Sequence, residues 1–134
     1  MGKLLSMGLS YPETNDLTHR IIGSAMEVHK YFGPGLGEVT YEESLYWELQ
    51  DSALNPQRQF RVPIDFKSRR LKSSYRVDLL VRASVVVEVK AVEKLIPLHQ
   101  AQVLTYLKLT GCRVGLLINF NVINLLDGIK RISL

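Results

Sequence analysis

Cysteine is almost absent from this chain: Cys112 is the only one in 134 residues. That excludes an intrachain disulfide and a thiolate zinc cluster, and it gives no reason to infer an oxidising compartment. The thiol reads as a small buried hydrophobe at the start of a strand. Long apolar runs are missing too. The opening MGKLLSMGLS is too short in its apolar stretch for a secretory signal, and no later segment approaches membrane-spanning length, so the chain reads as cytoplasmic. There is no repeat, no low-complexity tract and no linker, and the length suits one domain with a real core. Neither sign of charge dominates. The formal net charge of +4 is compatible with a polyanionic partner without specifying one. With 46% hydrophobic and 22% charged residues, the composition is that of a globular domain rather than a disordered one.

What is present is a succession of clear periodicities. Residues 1–13 read as a flexible leader, with Pro12 breaking any helix there, and residues 14–134 as a single domain. Asn15 or Asp16 can cap a first helix whose buried stripe is Leu17, Ile21, Ala25, Val28 and Phe32. Gly33-Pro34-Gly35 stops it, and a second helix is expected from about Gly37 to Ser52 on Tyr41, Leu45 and Leu49. Phe60, Val62, Ile64 and Phe66 alternate with polar residues as a strand, and residues 67–73 are expected to form the turn after it. A hairpin, a helix from about Pro97 to Leu109, a hydrophobic strand from Arg113 to Phe120 and a short strand near Ile129–Ile132 complete an ααβββαββ order. The fold class is therefore α/β.

The hairpin carries the densest chemistry. In RVDLLVRASVVVEVK, alternation places Asp78 away from the face of Tyr75, Val77, Leu79 and Val81, and it places Glu88 and Lys90 together on one side of the second strand. A three-residue loop at Arg82, Ala83 and Ser84 would pair Val81 with Val85 and set Asp78 directly across from Glu88. Facing carboxylates repel, and a hard divalent cation offsets that repulsion. Mg2+ suits one or two carboxylates plus water and phosphate, with Lys90 placed to orient an attacking water. Taken alone, D-x9-E-x-K reads first as a surface strand pair with ordinary charges, since short matches are common, and a two-residue loop would separate the carboxylates onto opposite faces.

Other polar residues sit on otherwise apolar stripes. Glu38 lies one step before Tyr41 on the buried stripe of the second helix, where an acid in the first turn also suits the helix dipole. Gln102 and Tyr106, four apart, project from one face of the later helix, for structural hydrogen bonding or for a substrate. His29 reads as a hydrogen-bonded histidine at the core edge. Arg69, Arg70 and Lys72 form a basic turn, and Lys130 and Arg131 a basic terminus, at most contacts to phosphates. Trp47, Tyr46 and Phe120 read as core or subunit contacts rather than as base-stacking platforms.

In combination these segments say more. GPGLGEVTYEESL, with Gly35, Glu38 and Tyr41 at G-x-x-E-x-x-Y spacing, precedes RVDLLV, VVVEVKAV, HQAQVLTYLKLTG and GLLINF. From about Asn15 to Leu134 the chain resembles the GxxExxY proteins, a family of small PD-(D/E)xK nuclease-like domains. Gln102-V-L-T-Tyr106 is similar to the QxxxY motif of RecB-type and lambda-exonuclease-type nucleases of the same superfamily. Gly37 stands where an apolar residue is commoner, and Phe66-Lys67-Ser68 replaces a more usual tyrosine-lysine-glycine turn; neither touches a proposed ligand.

The resemblance implies a three-layer restriction-endonuclease-like fold and a metal-dependent nuclease acting on nucleic acid, foremost DNA. It implies that Asp78 and Glu88 are acidic ligands of Mg2+ or Mn2+, with the backbone carbonyl of Val89 as a further ligand, and that Lys90 is the active-site lysine. Glu38 would be the helical acid that reaches the metal directly or through water. Gln102 and Tyr106 would shape the DNA-facing side. A nuclease-fold module that binds nucleic acid or protein without turnover is the competing class. A nuclease with one site that cuts both strands would pair with a second copy, so a homodimer stands beside the monomer.

Overall fold

The computed structural model describes residues 9–134. The elements run α1 (Tyr11–Phe32), α2 (Glu38–Asp51), β1 (Pro56–Phe66), β2 (Arg69–Val81), β3 (Val85–Lys90), α3 (Pro97–Thr110), β4 (Val114–Asn119), a 3-10 turn (Leu125–Gly128) and β5 (Ile129–Ser133). The five strands form one sheet in the order β1-β2-β3-β4-β5. Only β3 and β4 are parallel, as a strand-helix-strand crossover through α3 requires.

Two apolar clusters make the layers. Leu17, Ile21 and Ala25 of α1 and Tyr41, Leu45 and Leu49 of α2 cover one sheet face at Leu79, Val81, Val87 and Ile118. Val103, Tyr106 and Leu107 of α3 cover the other at Val77, Leu80, Val86 and Leu117. Gly115 lets α3 lie close on β4, because a Cβ there would stand 2.6 Å from Val103 Cγ1. Strands buried on both sides explain the continuous valine and leucine runs of β3 and β4.

Several expectations from the sequence need correction. The first helix starts earlier: Ser10 caps it, its hydroxyl accepting from Glu13 N–H while the Glu13 carboxylate accepts from Ser10 N–H. Pro12 falls in the first turn, where no intrahelical donor is lost, so it begins the helix rather than breaking it. Of the expected leader 1–13, residues 11–13 are therefore helical, and residues 1–8 lie outside the described residues. The expected turn over residues 67–73 shrinks to Lys67 and Ser68, with Lys67 at φ 58, and the basic residues Arg69, Arg70 and Lys72 belong to β2. Cys112 is buried as expected, in the connection between α3 and β4 rather than inside a strand.

The α1–α2 connection shows what the glycines and tyrosine of the G-x-x-E-x-x-Y segment do. Gly33 and Gly35 take φ values of 68 and 108, which favour glycine. Tyr41 folds back beneath them: its hydroxyl donates to Gly33 O and accepts from Leu36 N–H, and its ring stacks on Phe120 at 4.7 Å between centroids. This clamp fixes the direction in which α2 presents its first turn.

Candidate active site

The expected hairpin register is present, with Val81 opposite Val85 and Leu79 opposite Val87. The paired ladder then stops one position short of the acids. On the other side of β2, Arg58 pairs with Leu79 and Phe60 with Val77, while Gln59, opposite Asp78, takes φ 51 and leaves the ladder. Side-chain alternation flips here. Val77 joins Leu80 in the α3-side cluster, whereas Leu79 and Val81 face α1 and α2. The single face read for Tyr75, Val77, Leu79 and Val81 is thus corrected: the strand rotates about Asp78.

Where backbone pairing fails, the acids replace it. Glu88 Oε1 accepts from Asp78 N–H at 3.0 Å, and Asp78 Oδ2 accepts from Val89 N–H at 2.8 Å. Each bond satisfies a backbone donor that the splayed strands would otherwise leave unpaired. One oxygen of each carboxylate is thereby committed to the backbone. Both groups line an open cavity of about 320 Å³ between α2 and α3, together with Glu38, Glu42, Gln59, Arg76, Lys90, Gln102 and Tyr106.

Burial pushes the Asp78 pKa up to about 7; the Val89 N–H opposes the rise, the nearby Glu42 carboxylate adds to it, and Lys90 opposes it. Glu88 is raised to about 8, by burial first and the Asp78 charge second, against the Asp78 N–H and Lys90. Two half-desolvated carboxylates cannot both ionise cheaply without a cation between them. On the α3 side, Lys90 Nζ donates to Gln102 Oε1 at 3.4 Å. Burial, then the Glu88 and Asp78 charges, raise the Tyr106 phenol to about 12, against a hydrogen bond with Gln102.

The helical acids divide unexpectedly. Glu38 is exposed where it lines the cavity, not buried on the α2 stripe. Glu42, one turn later, is the buried acid, 6% exposed. Arg58 contacts its Oε2 through Nε at 3.0 Å and Nη2 at 2.9 Å, and Gln59 Nε2 donates to Oε1 at 2.9 Å. Gln59 therefore leaves the ladder in order to hold Glu42. Glu42 is not among the residues singled out from the sequence, although it stands three and seven residues before Leu45 and Leu49 on the inward flank of α2.

Among the described residues no three His, Cys, Asp or Glu side chains close around one point as a complete ligand set. The donors still fit a hard divalent ion, since Mg2+ takes one or two carboxylates and fills its remaining positions with water and phosphate oxygens.

A family model described as the PD-(D/E)XK nuclease superfamily matches residues 15–132. The chain belongs to that superfamily. A solved structure titled "Crystal structure of SSO0001" aligns with a TM-score of 0.53 and 22% identity, over 86% of this chain and 60% of that one. That likeness concerns the fold, and the chain spans about 60% of the length of that structure. No curated protein matches the chain in sequence. The mixed five-stranded sheet between helices is the restriction-endonuclease-like arrangement of the superfamily.

Remaining sequence candidates lie away from the cavity. His29 Nε2 hydrogen-bonds Val122 O at 2.8 Å at the core edge, as expected. Phe120 is core, while Trp47 is 56% exposed and packs edge-on against Tyr46. Among the described residues no helix is long and apolar enough to cross a membrane.

Proposed function

We propose that the protein is a Mg2+- or Mn2+-dependent nuclease that hydrolyses phosphodiester bonds of DNA, of the narrower GxxExxY kind with a QxxxY helix. The observation that carries this reading is the Asp78/Glu88 pair: two acids raised to about 7 and 8, side by side in an open cavity, with Lys90 two residues beyond. Such a pair is costly for folding, and costly acid clusters accompany function.

Asp78 and Glu88 would hold the ion through the oxygens not committed to backbone donors, with the Val89 carbonyl as a further donor and Glu38 reaching it from the mouth. Bound there, the ion supplies Lewis acidity toward a phosphoryl oxygen and acidifies water. Lys90, oriented by Gln102, directs the water toward phosphorus and stabilises the negative charge that builds as the P–O bond to the leaving strand breaks. Glu42, immobilised by Arg58 and Gln59, keeps Asp78 and the first turn of α2 in register with the cavity. With its pKa near 12, the Tyr106 phenol acts as a neutral hydrogen-bond donor to the strand and not as a base.

The deciding experiment incubates pure protein with linear, circular and single-stranded DNA and with RNA, each in EDTA, Mg2+ or Mn2+. Cleavage of DNA that requires the metal is expected. Absence of metal-dependent cleavage on every substrate overturns the reading in favour of a binding module.

A further inference from the structure

The first two strands outrun the rest of the sheet. β3 pairs with β2 only over Leu79–Val81, so among the described residues the stretch of β2 from Arg69 to Asp78 has β1 as its single strand partner. The result is a two-stranded ribbon between Arg61 and Arg76, roughly 20 Å long at the usual strand rise. Every residue from 65 to 73 is exposed, so its outer half stands clear of the body on both faces.

The ribbon carries the charge of the molecule. Residues 61–76 contain six cations (Arg61, Lys67, Arg69, Arg70, Lys72 and Arg76) and one anion (Asp65), a net of +5 in a chain whose total is +4; the remainder is net −1. The two ion pairs among the described residues are Arg58–Glu42 and Arg70–Asp65, which leaves five ribbon cations without a carboxylate partner. Arg61 sits directly across from Arg76 in the register. Facing like charges destabilise a hairpin unless an anion lies against them. Arg76 also lines the cavity, so the positive charge begins beside Asp78 and Glu88 and continues outward along the ribbon to the unpaired Lys72, Arg69 and Lys67.

We propose that the Arg61–Arg76 ribbon is a docking arm for double-stranded DNA, seated in a groove of the duplex whose scissile phosphate occupies the cavity. The proposal rests on the nuclease reading above and narrows its substrate. A B-form major groove, about 12 Å wide, admits a two-stranded ribbon, whereas the A-form groove of duplex RNA is too narrow for one. Single-strand platforms stack successive bases on aromatic rings. The ribbon's exposed aromatics are Phe66 and Tyr75, and these stand at opposite ends, with Tyr75 beside Tyr106.

Fluorescence anisotropy in EDTA, where nothing is cut, tests the arm on a short DNA duplex, an RNA duplex of the same sequence and the single DNA strand. The DNA duplex should bind tightest, by at least about tenfold. The slope of log affinity against log salt should fall by about 0.9 for each lost phosphate contact, so the combined Lys67→Ala, Arg69→Ala and Lys72→Ala variant should lose between two and three. Lys67→Arg with Lys72→Arg should keep the slope. An unchanged slope in the triple variant, no binding of the duplex by the natural protein, or equal affinity for RNA duplex or single strand overturns the proposal. Mn2+-dependent hydrolysis of bis(4-nitrophenyl) phosphate, too small to reach the ribbon, separates the two readings. Hydrolysis with an unchanged slope sinks the arm alone; a reduced slope with no metal-dependent cleavage of this diester or of any nucleic acid sustains the arm and sinks the nuclease.

Discussion

Asp78 and Glu88 each bind the strand of the other, Glu88 Oε1 taking the Asp78 N–H and Asp78 Oδ2 the N–H of Val89. The two acids are thus held together by backbone donors at the point where their strands part. Repulsion between them is tolerated because both are needed to complete the hydrogen bonding of the splayed sheet.

This sets a pH dependence for the metal-free protein. Asp78 is raised to about 7 and Glu88 to about 8, so the native state binds more protons than the unfolded chain. The associated stability is fully present below about pH 4 and is lost as pH rises through 7 to 8. Thermal melts in EDTA should show the midpoint falling by several degrees from about pH 5.5 to about pH 8.5, and Asp78→Asn should flatten the decline. A flat natural profile would show that the pair is not raised.

Metal should reverse that loss. Linkage gives about 2.7 kcal/mol when free metal is ~100 times its dissociation constant, a rise of several degrees for a domain of this size. At pH 8, Asp78→Asn should melt above the natural protein in EDTA and gain little from Mn2+. No shift of the natural protein with Mn2+ would mean that the oxygens of Asp78 and Glu88 do not hold an ion together.

Activity should separate the roles. Asp78→Ala and Glu88→Ala are expected to abolish cleavage, while Lys90→Ala should keep Mn2+ binding in a calorimeter and lose turnover. Glu42→Gln, which loosens a supporting group, should cost about 10- to 100-fold. Glu38→Gln, at the exposed mouth, should cost less than Glu42→Gln. Full activity in Asp78→Ala, or the reverse order for the two glutamines, would refute these assignments.

Two glycines offer a check on the packing beneath the site. A Cβ at Gly115 meets a side chain, Val103 Cγ1 at 2.6 Å, whereas one at Gly128 would stand 2.2 Å from the backbone oxygen of Asn119. Gly115→Ala should therefore cost about 1–3 kcal/mol by overpacking, relieved by a small shift of α3 because a β-branched valine in a helix has little rotamer freedom. Gly128→Ala should cost more, since the chain itself must move. Urea unfolding of both variants measures the order, and equal losses would contradict it.

The sequence was most informative where one periodicity governed a whole element. Strict alternation in β3 and helical spacing in α3 gave Glu88, Lys90, Gln102 and Tyr106 their positions, and the loop Arg82-Ala83-Ser84 fixed the hairpin register. Alternation failed at Asp78 because the strand rotates there, a consequence of Gln59 turning aside to a helix residue distant in sequence. Glu38 and Glu42 lie one turn apart on α2, and spacing alone cannot tell which of them the sheet covers. That depends on the tertiary contacts of α2, among them the Tyr41 clamp and the Arg58 and Gln59 side chains that reach Glu42. The start of α1 was legible in Ser10 and Glu13, a capping box concealed by the adjacent Pro12.

Strand β2 has two neighbours at Leu79–Val81 and one at Arg69–Tyr75, which gives a single strand two very different lifetimes of closure. Amide protons of Leu79, Leu80 and Val81 should exchange with solvent only when the whole domain opens, and those near Arg69 in small, frequent openings of the tip. The Asp78 amide, held by a side chain instead of a strand, lies at the seam between the two regimes. The Asp78 carboxylate is tied in turn to the Val89 N–H of β3, so openings of the ribbon tip need not reach the proposed metal ligand.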